Sequence, residues 1–142
     1  MFSKRRMTGP RVAFLLLAAL HLFFLAYLYS VQGIHADKEA LKFTGSAEAL
    51  LRGDPHDLLH RYPTYGTYIL FLVPFAAIGN YWLAVSAQVI LGFIAAWRLK
   101  QLVLRTTGSD VWAWVATAGL LLSYLVQTWT LSLYSEPLMT SL

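Results

Sequence analysis

The chain has no cysteine among its 142 residues. Disulfide bonds and thiolate metal sites are therefore excluded, and cysteine usage offers no guide to redox compartment. Charge is also scarce. Charged residues make up 13% of the chain, about half the share of an ordinary soluble domain, and seven residues are acidic. No glycine-rich phosphate loop, Ser-His-Asp pattern or closely spaced set of metal ligands is present, so nucleotide-binding, hydrolase and structural-metal chemistry lack their usual signatures. The net charge of +4 does not indicate a nucleic-acid partner, because the basic residues are not interleaved with aromatics on a water-facing surface. They flank apolar runs, where topology signals stand.

What remains is 58% hydrophobic, and it predicts an all-α integral membrane protein. Val12 to Val31 is the first span, interrupted by His21 and Ser30. Lys4, Arg5, Arg6 and Arg11 precede it, and Tyr27, Tyr29 and Gln32 occupy its exit in place of a small-residue cleavage site. It reads as an uncleaved anchor with a cytoplasmic N-terminus. His21 is either a functional intramembrane group or, the favoured reading, a neutral imidazole hydrogen-bonded to a neighbouring helix. Trp82 to Leu104 and Val111 to Leu133 are the second and third spans, edged by Trp82, Trp97, Trp112, Trp114, Trp129 and Tyr134 as membrane interfaces favour. Gly108, Ser109 and Asp110 supply turn and cap residues for a tight hairpin between them.

The segment from Thr64 to Gly79 is apolar but short, about 24 Å as a helix, and Pro74 predicts a kink or break in it. If it crossed, Arg98, Lys100 and Arg105 would face outward. If it is re-entrant or juxtamembrane, they join the N-terminal cluster inside, as the positive-inside rule prefers. Three full spans are therefore expected, with the tail around Glu136 on the same outer face as the loop from Gly33 to Pro63.

That loop holds five of the seven acids and three of the four histidines: Asp37, Glu39, Glu48, Asp54, Asp57, His35, His56 and His60. Asp37 to Arg52 reads as an amphipathic helix, with Ala40, Phe43, Ala47, Leu50 and Leu51 on one stripe and Lys38, Lys42, Glu48 and Arg52 polar. Gly53 and Asp54-Pro55 stop it. Asp37 stands at the N-cap position, and Glu39 one turn before Phe43, where the helix dipole acts on a carboxylate. Asp54 and Asp57 read as turn residues, and Glu48 falls on a solvated face. His56 and His60 are four apart, but the Pro55 turn argues against a two-histidine metal site.

The order of these features carries a resemblance. Glu39, Phe43, Ala47, Leu50 and Gly53 form an acid-x3-aromatic-x3-Ala-x2-Leu-x2-Gly helix. Tyr62-Pro63-Thr64-Tyr65 then enters a short apolar helix ending at Gly79, and a two-span hairpin leads to Ser135-Glu136-Pro137-Leu138. The arrangement resembles the N-terminal part of GT-C membrane glycosyltransferases, nearest to the bacterial protein-mannosyltransferase and aminoarabinose-transferase-like group. The resemblance implies a polyprenyl-phosphate-linked sugar donor and a bacterial inner-membrane location with the loop periplasmic. It also implies a first-loop carboxylate as general base and a second-loop carboxylate near the donor or a divalent cation. The first-loop acid of that group is usually Asp. By spacing its position falls on Glu39, by residue type on Asp37, so both stay open; the second-loop acid matches Glu136. Arg61, and secondarily His60, would meet the lipid phosphate.

Glycosyl transfer from a phosphate leaving group does need a base for the acceptor hydroxyl and positive charge for the departing phosphate. The rival expectation is a non-catalytic membrane subunit or assembly factor of an envelope glycan pathway. A small transporter or channel ranks lower, since only His21 is ionisable within a span. Because such transferases have eight or more spans, and another apolar run starts at Leu138, the chain is expected to be the N-terminal portion of a longer protein.

Overall fold

The computed structural model describes residues 8–34 and 38–133, which are helical throughout apart from short turns. Helix α1 (Thr8–Gln32) starts one turn before the first apolar run and takes Pro10 into its first turn, where no intrahelical N–H bond is lost. It closes at Gly33, in the left-handed region (φ 67°), whose N–H donates to the Tyr29 carbonyl at 2.8 Å. Helix α2 (Lys38–Leu51) and helix α3 (Gly66–Ile78) follow, separated by a wide turn and a tight one. Helix α4 (Tyr81–Thr107) opens on Asn80, whose side chain accepts from the Trp82 N–H at 3.0 Å, and ends on Gly108. Ser109 caps the next helix, α5 (Asp110–Leu121), so the expected tight hairpin is present.

The third apolar run is not the single rod that its hydropathy predicts. After α5 the chain turns at Leu122 and Ser123 and resumes as α6 (Tyr124–Leu131). Such a break leaves backbone carbonyls unpaired, which is costly in an apolar bundle. Here the Leu121 carbonyl accepts from His21 Nδ1 at 2.6 Å and from Gln127 Nε2 at 2.9 Å. His21 is therefore a hydrogen-bonded imidazole pinned to a neighbouring helix, with Phe93 edge-on against its ring at 5.3 Å. Three stretches, Gly9–Gln32, Tyr81–Thr107 and Asp110–Leu131, are long and apolar enough to cross a membrane; Pro63–Ile78 is shorter than a span.

Aromatic contacts give the helix directions. Phe14 meets Phe93 and Trp97 at 6.4 and 5.1 Å, while Tyr29 meets Trp82 at 4.5 Å, so α1 and α4 run antiparallel. Lys100 Nζ lies 3.2 Å from Asp110 Oδ1 and 4.5 Å from the Trp114 ring centre, which closes the α4–α5 hairpin at the Phe14 end. Lys100 is buried, and this corrects its place in the basic cluster: the charge is turned inward and paired. Alanines 84, 96 and 113 and Thr117 are fully buried, small residues that let helices approach closely.

At the opposite end, Leu25, Ala40, Phe43, Ala47, Ile69, Leu72, Val85 and Leu131 share one core. Helix α2 lies against α3, with Phe43 5.0 Å from Tyr65 and 5.3 Å from Tyr68. The predicted stripe holds at Ala40, Phe43 and Ala47, but Leu51 is 45% exposed, because Gly53 (φ 85°) turns the chain away just beyond it. Pro74 neither kinks the chain into two pieces nor ends it: α3 runs through to Gly79. The bond Pro74 cannot make is to the Leu70 carbonyl, and both residues are exposed. Gln88 Nε2 donates to the Tyr68 hydroxyl at 3.2 Å and joins α3 to α4.

The shared Leu121 carbonyl makes the two donors interdependent. His21→Phe and Gln127→Leu should each lower unfolding stability in detergent by about 0.5–1.5 kcal/mol. The double variant should lose more than the sum, since the carbonyl then has no donor, and a thermal-unfolding double-mutant cycle measures the excess.

Candidate functional site

The site is assembled from the α2–α3 connection. Asp54 accepts from the His56 N–H at 3.0 Å, so it forms the expected turn after Gly53. The backbone then makes one wide turn over Asp57–Arg61, closed by the Tyr62 N–H donating to the Asp57 carbonyl at 2.7 Å. Insertions of this width collect at functional sites. A tighter turn, Pro63–Tyr65, leads into α3. Gly66 lets the two turns pack: a Cβ there would stand 3.3 Å from Leu58 Cδ1.

The wide turn brings polar groups together. Arg61 Nη1 lies 3.8 Å from Asp57 Oδ1, and its guanidinium sits 5.3 Å from the Tyr62 ring centre. Ser46 Oγ, on the buried side of α2, donates to Asp57 Oδ2 at 3.1 Å. Asp57 thus links α2 to Arg61, a role that its reading as a plain turn residue missed. The partner is eleven residues upstream, and no local pattern marks it. His56 and His60, four apart, lie ring to ring with centroids 5.2 Å apart. Both are exposed, and among the described residues no group of three or more His, Asp or Glu is placed to hold a metal ion.

Glu48 is exposed as expected, yet it is engaged: the Tyr81 hydroxyl donates to its Oε1 at 3.0 Å and ties α2 to the start of α4. Of the three carboxylates proposed as catalytic, Asp37 and Glu136 lie outside the described residues. Glu39 is in the first turn of α2, and its side chain lies outside the described residues too. Its position is seven residues before Ser46, hence on the same helix face and about 10 Å along the axis. Arg61 and His60 are adjacent on the wide turn, exposed.

Below this end, α1 and α4 enclose an apolar groove of about 440 Å³, walled by Leu22, Leu25, Tyr29, Trp82, Val85 and Ile90 among others. The Tyr29–Trp82 contact lies along its wall, next to the Tyr81 that holds α2. The arrangement puts an arginine and two imidazoles on the connection at the end of the bundle where the apolar groove between α1 and α4 also lies. No protein-family model, curated protein or solved structure matches the chain.

The Ser46–Asp57 bond links α2 to the arginine turn, and removing one oxygen atom removes it. Ser46→Ala should cost about 1 kcal/mol and speed amide exchange at Leu58 to Tyr62 while sparing α4, as hydrogen-exchange mass spectrometry would read.

Proposed function

We propose that the chain is the donor-binding, membrane-embedded part of a GT-C-like glycosyltransferase of a bacterial inner membrane. It would take a polyprenyl-phosphate sugar and transfer the sugar on the outer face. The observation that carries this reading is the coincidence, at one end of the bundle, of an exposed arginine held by Asp57 and an apolar groove between α1 and α4. A lipid phosphate needs the first and a polyprenyl chain needs the second. In the reaction a carboxylate, Asp37 or Glu39, takes the proton of the acceptor hydroxyl as its oxygen attacks the anomeric carbon. The bond from that carbon to the phosphate oxygen breaks, and Arg61, aided by His60, receives the charge left on the polyprenyl phosphate. Glu136 acts beside the donor. A divalent cation enters only through the family resemblance, with Glu136 as its expected neighbour.

The antiparallel pairing of α1 with α4 supports the three-span arrangement. The connection from Gly33 to Asn80 leaves and re-enters the bundle at the same end, which a fourth crossing by α3 would not allow. The third apolar run then ends beside the same loop, and Glu136 follows it by five residues. The membrane-surface position of α3 and the outward face of the loop are parts of the same proposal.

Two measurements separate this reading from a non-catalytic subunit. A photoactivatable polyprenyl phosphate should label the full chain in membranes, and Arg61→Ala should cut the labelling about tenfold or more, the worth of a charge-assisted hydrogen bond. Glu39→Gln and Asp37→Asn should leave labelling intact, and one of them should abolish sugar transfer; transfer undiminished in both, and in Glu136→Gln, would assign the chain an accessory role. For topology, single cysteines introduced at 60 and 136 should both react with an impermeant maleimide from the outer side. Labelling of position 136 solely from the cytoplasmic side would sink the shared-face arrangement.

A further inference from the structure

The end of the bundle away from the proposed donor site carries a second recess. It lies between α1 and α4, has a volume of about 480 Å³, and is lined by Phe14, Phe93, Ile94, Trp97, Arg98 and Gln101. Phe14 stands edge-on to Phe93 and Trp97 and forms its rigid inner wall. Ile94, Arg98, Gln101 and Arg105 recur at four-, three- and four-residue steps, so they form one stripe along α4. Ile94 is 52% exposed, and Arg98 and Arg105 are exposed as well. The stripe therefore passes from apolar to cationic at its C-terminal end, facing outward from the bundle.

The charge at this end is unbalanced in a particular way. Asp110 is the only acidic residue between Asp57 and Glu136, and it is taken by Lys100. Arg98 and Arg105 have no carboxylate partner among the described residues. Arg11, also exposed, stands one turn before Phe14 on the same side of α1 and adds a third guanidinium without a carboxylate partner among the described residues. A topology signal needs only the number of basic residues near a span end. It does not need an aromatic recess with an arginine and an amide on its rim.

We propose that this recess binds one anionic phospholipid of the cytoplasmic leaflet, a reading that rests on α1 and α4 being membrane spans. The phosphate is held by Arg98 and the Gln101 amide, with Arg105 and Arg11 adding field. One acyl chain lies on Ile94 and Phe93. Charge complementarity selects the anionic headgroup, since guanidinium forks match phosphate oxygens and each basic residue near the surface adds roughly a fivefold preference. The headgroup end of the site, at Arg98, is separated from Tyr81, at the donor end of α4, by about 25 Å of helix, so the two phosphates would bind at opposite ends of the α1–α4 seam.

The test uses the full chain, delipidated in neutral detergent and titrated with phosphatidylglycerol or phosphatidylcholine under native mass spectrometry. Phosphatidylglycerol should bind at least about fivefold more tightly than phosphatidylcholine. Arg98→Gln should lose about fivefold of that preference, Arg98→Lys should retain most of it, and Arg52→Gln, at the other end, should change nothing. Ile94→Trp, which fills the recess, should weaken both lipids. Equal binding of the two lipids, or an Arg98→Gln variant that behaves as the wild type, would overturn the proposal. Displacement of the lipid by excess inorganic phosphate would reassign the site to a free anion. Release of the chain from membranes by alkaline carbonate would instead overturn the span reading, a separate result from either.

Discussion

Phe14 packs against Phe93 and Trp97, His21 against Phe93, and Tyr29 against Trp82. These contacts form one seam along which α1 and α4 lie antiparallel. Edge-to-face pairs of this kind add about 0.5–1.5 kcal/mol each beyond their buried area. Their greater effect is directional. Once α4 returns along α1, the 33–80 connection must begin and end at one end of the bundle. Helices α2 and α3 then have to pack there on each other and on Leu25, Val85 and Leu131. The proposed donor groove and the lipid recess are the two gaps this seam leaves at its ends.

Several polar groups inside the bundle join one helix to another, because left alone there they would be costly. The Leu121 carbonyl, freed where α5 gives way to α6, draws His21 and Gln127 to one oxygen. Lys100 turns inward to Asp110 and the Trp114 face. Gln88 reaches the Tyr68 hydroxyl. Each joins two helices, or two sides of a break, that hydrophobic contact alone would leave free to slide, since apolar side chains in a bilayer have little preference for one another over lipid.

The polar cluster proposed to meet the donor sits where the regular helices stop. Arg61, His56, His60 and Asp57 are all on or beside one wide turn, and that turn is held by Ser46 from α2 and by Leu58 packing over Gly66. Arg61 stands within ion-pair distance of Asp57, at 3.8 Å, while its side chain stays largely exposed. That carboxylate neighbour distinguishes it from Arg98 and Arg105, whose partners in our reading come from the bilayer.

Much of this was legible in the residues. Apolar run lengths, aromatic edges, Ser109 as a cap, and glycines at 53, 79 and 108 mark helix ends because they act through local backbone geometry and hydration. The α2 stripe at Ala40, Phe43 and Ala47 follows from helical periodicity. The break at Leu122–Ser123 did not announce itself, since neither proline nor charge marks it and its carbonyl is met by His21, a hundred residues upstream. The engagements of Asp57 by Ser46, Glu48 by Tyr81 and Lys100 by Asp110 were equally hidden, each read singly as a turn, a solvated face or a topology charge. Composition and periodicity by themselves determined which segments are helices and which are apolar enough to span a bilayer, because both depend on neighbours within a turn or two. Only the tertiary structure decided which ends meet, which charges are spent within the fold and which remain for a ligand, because those depend on contacts between distant segments that no local pattern encodes.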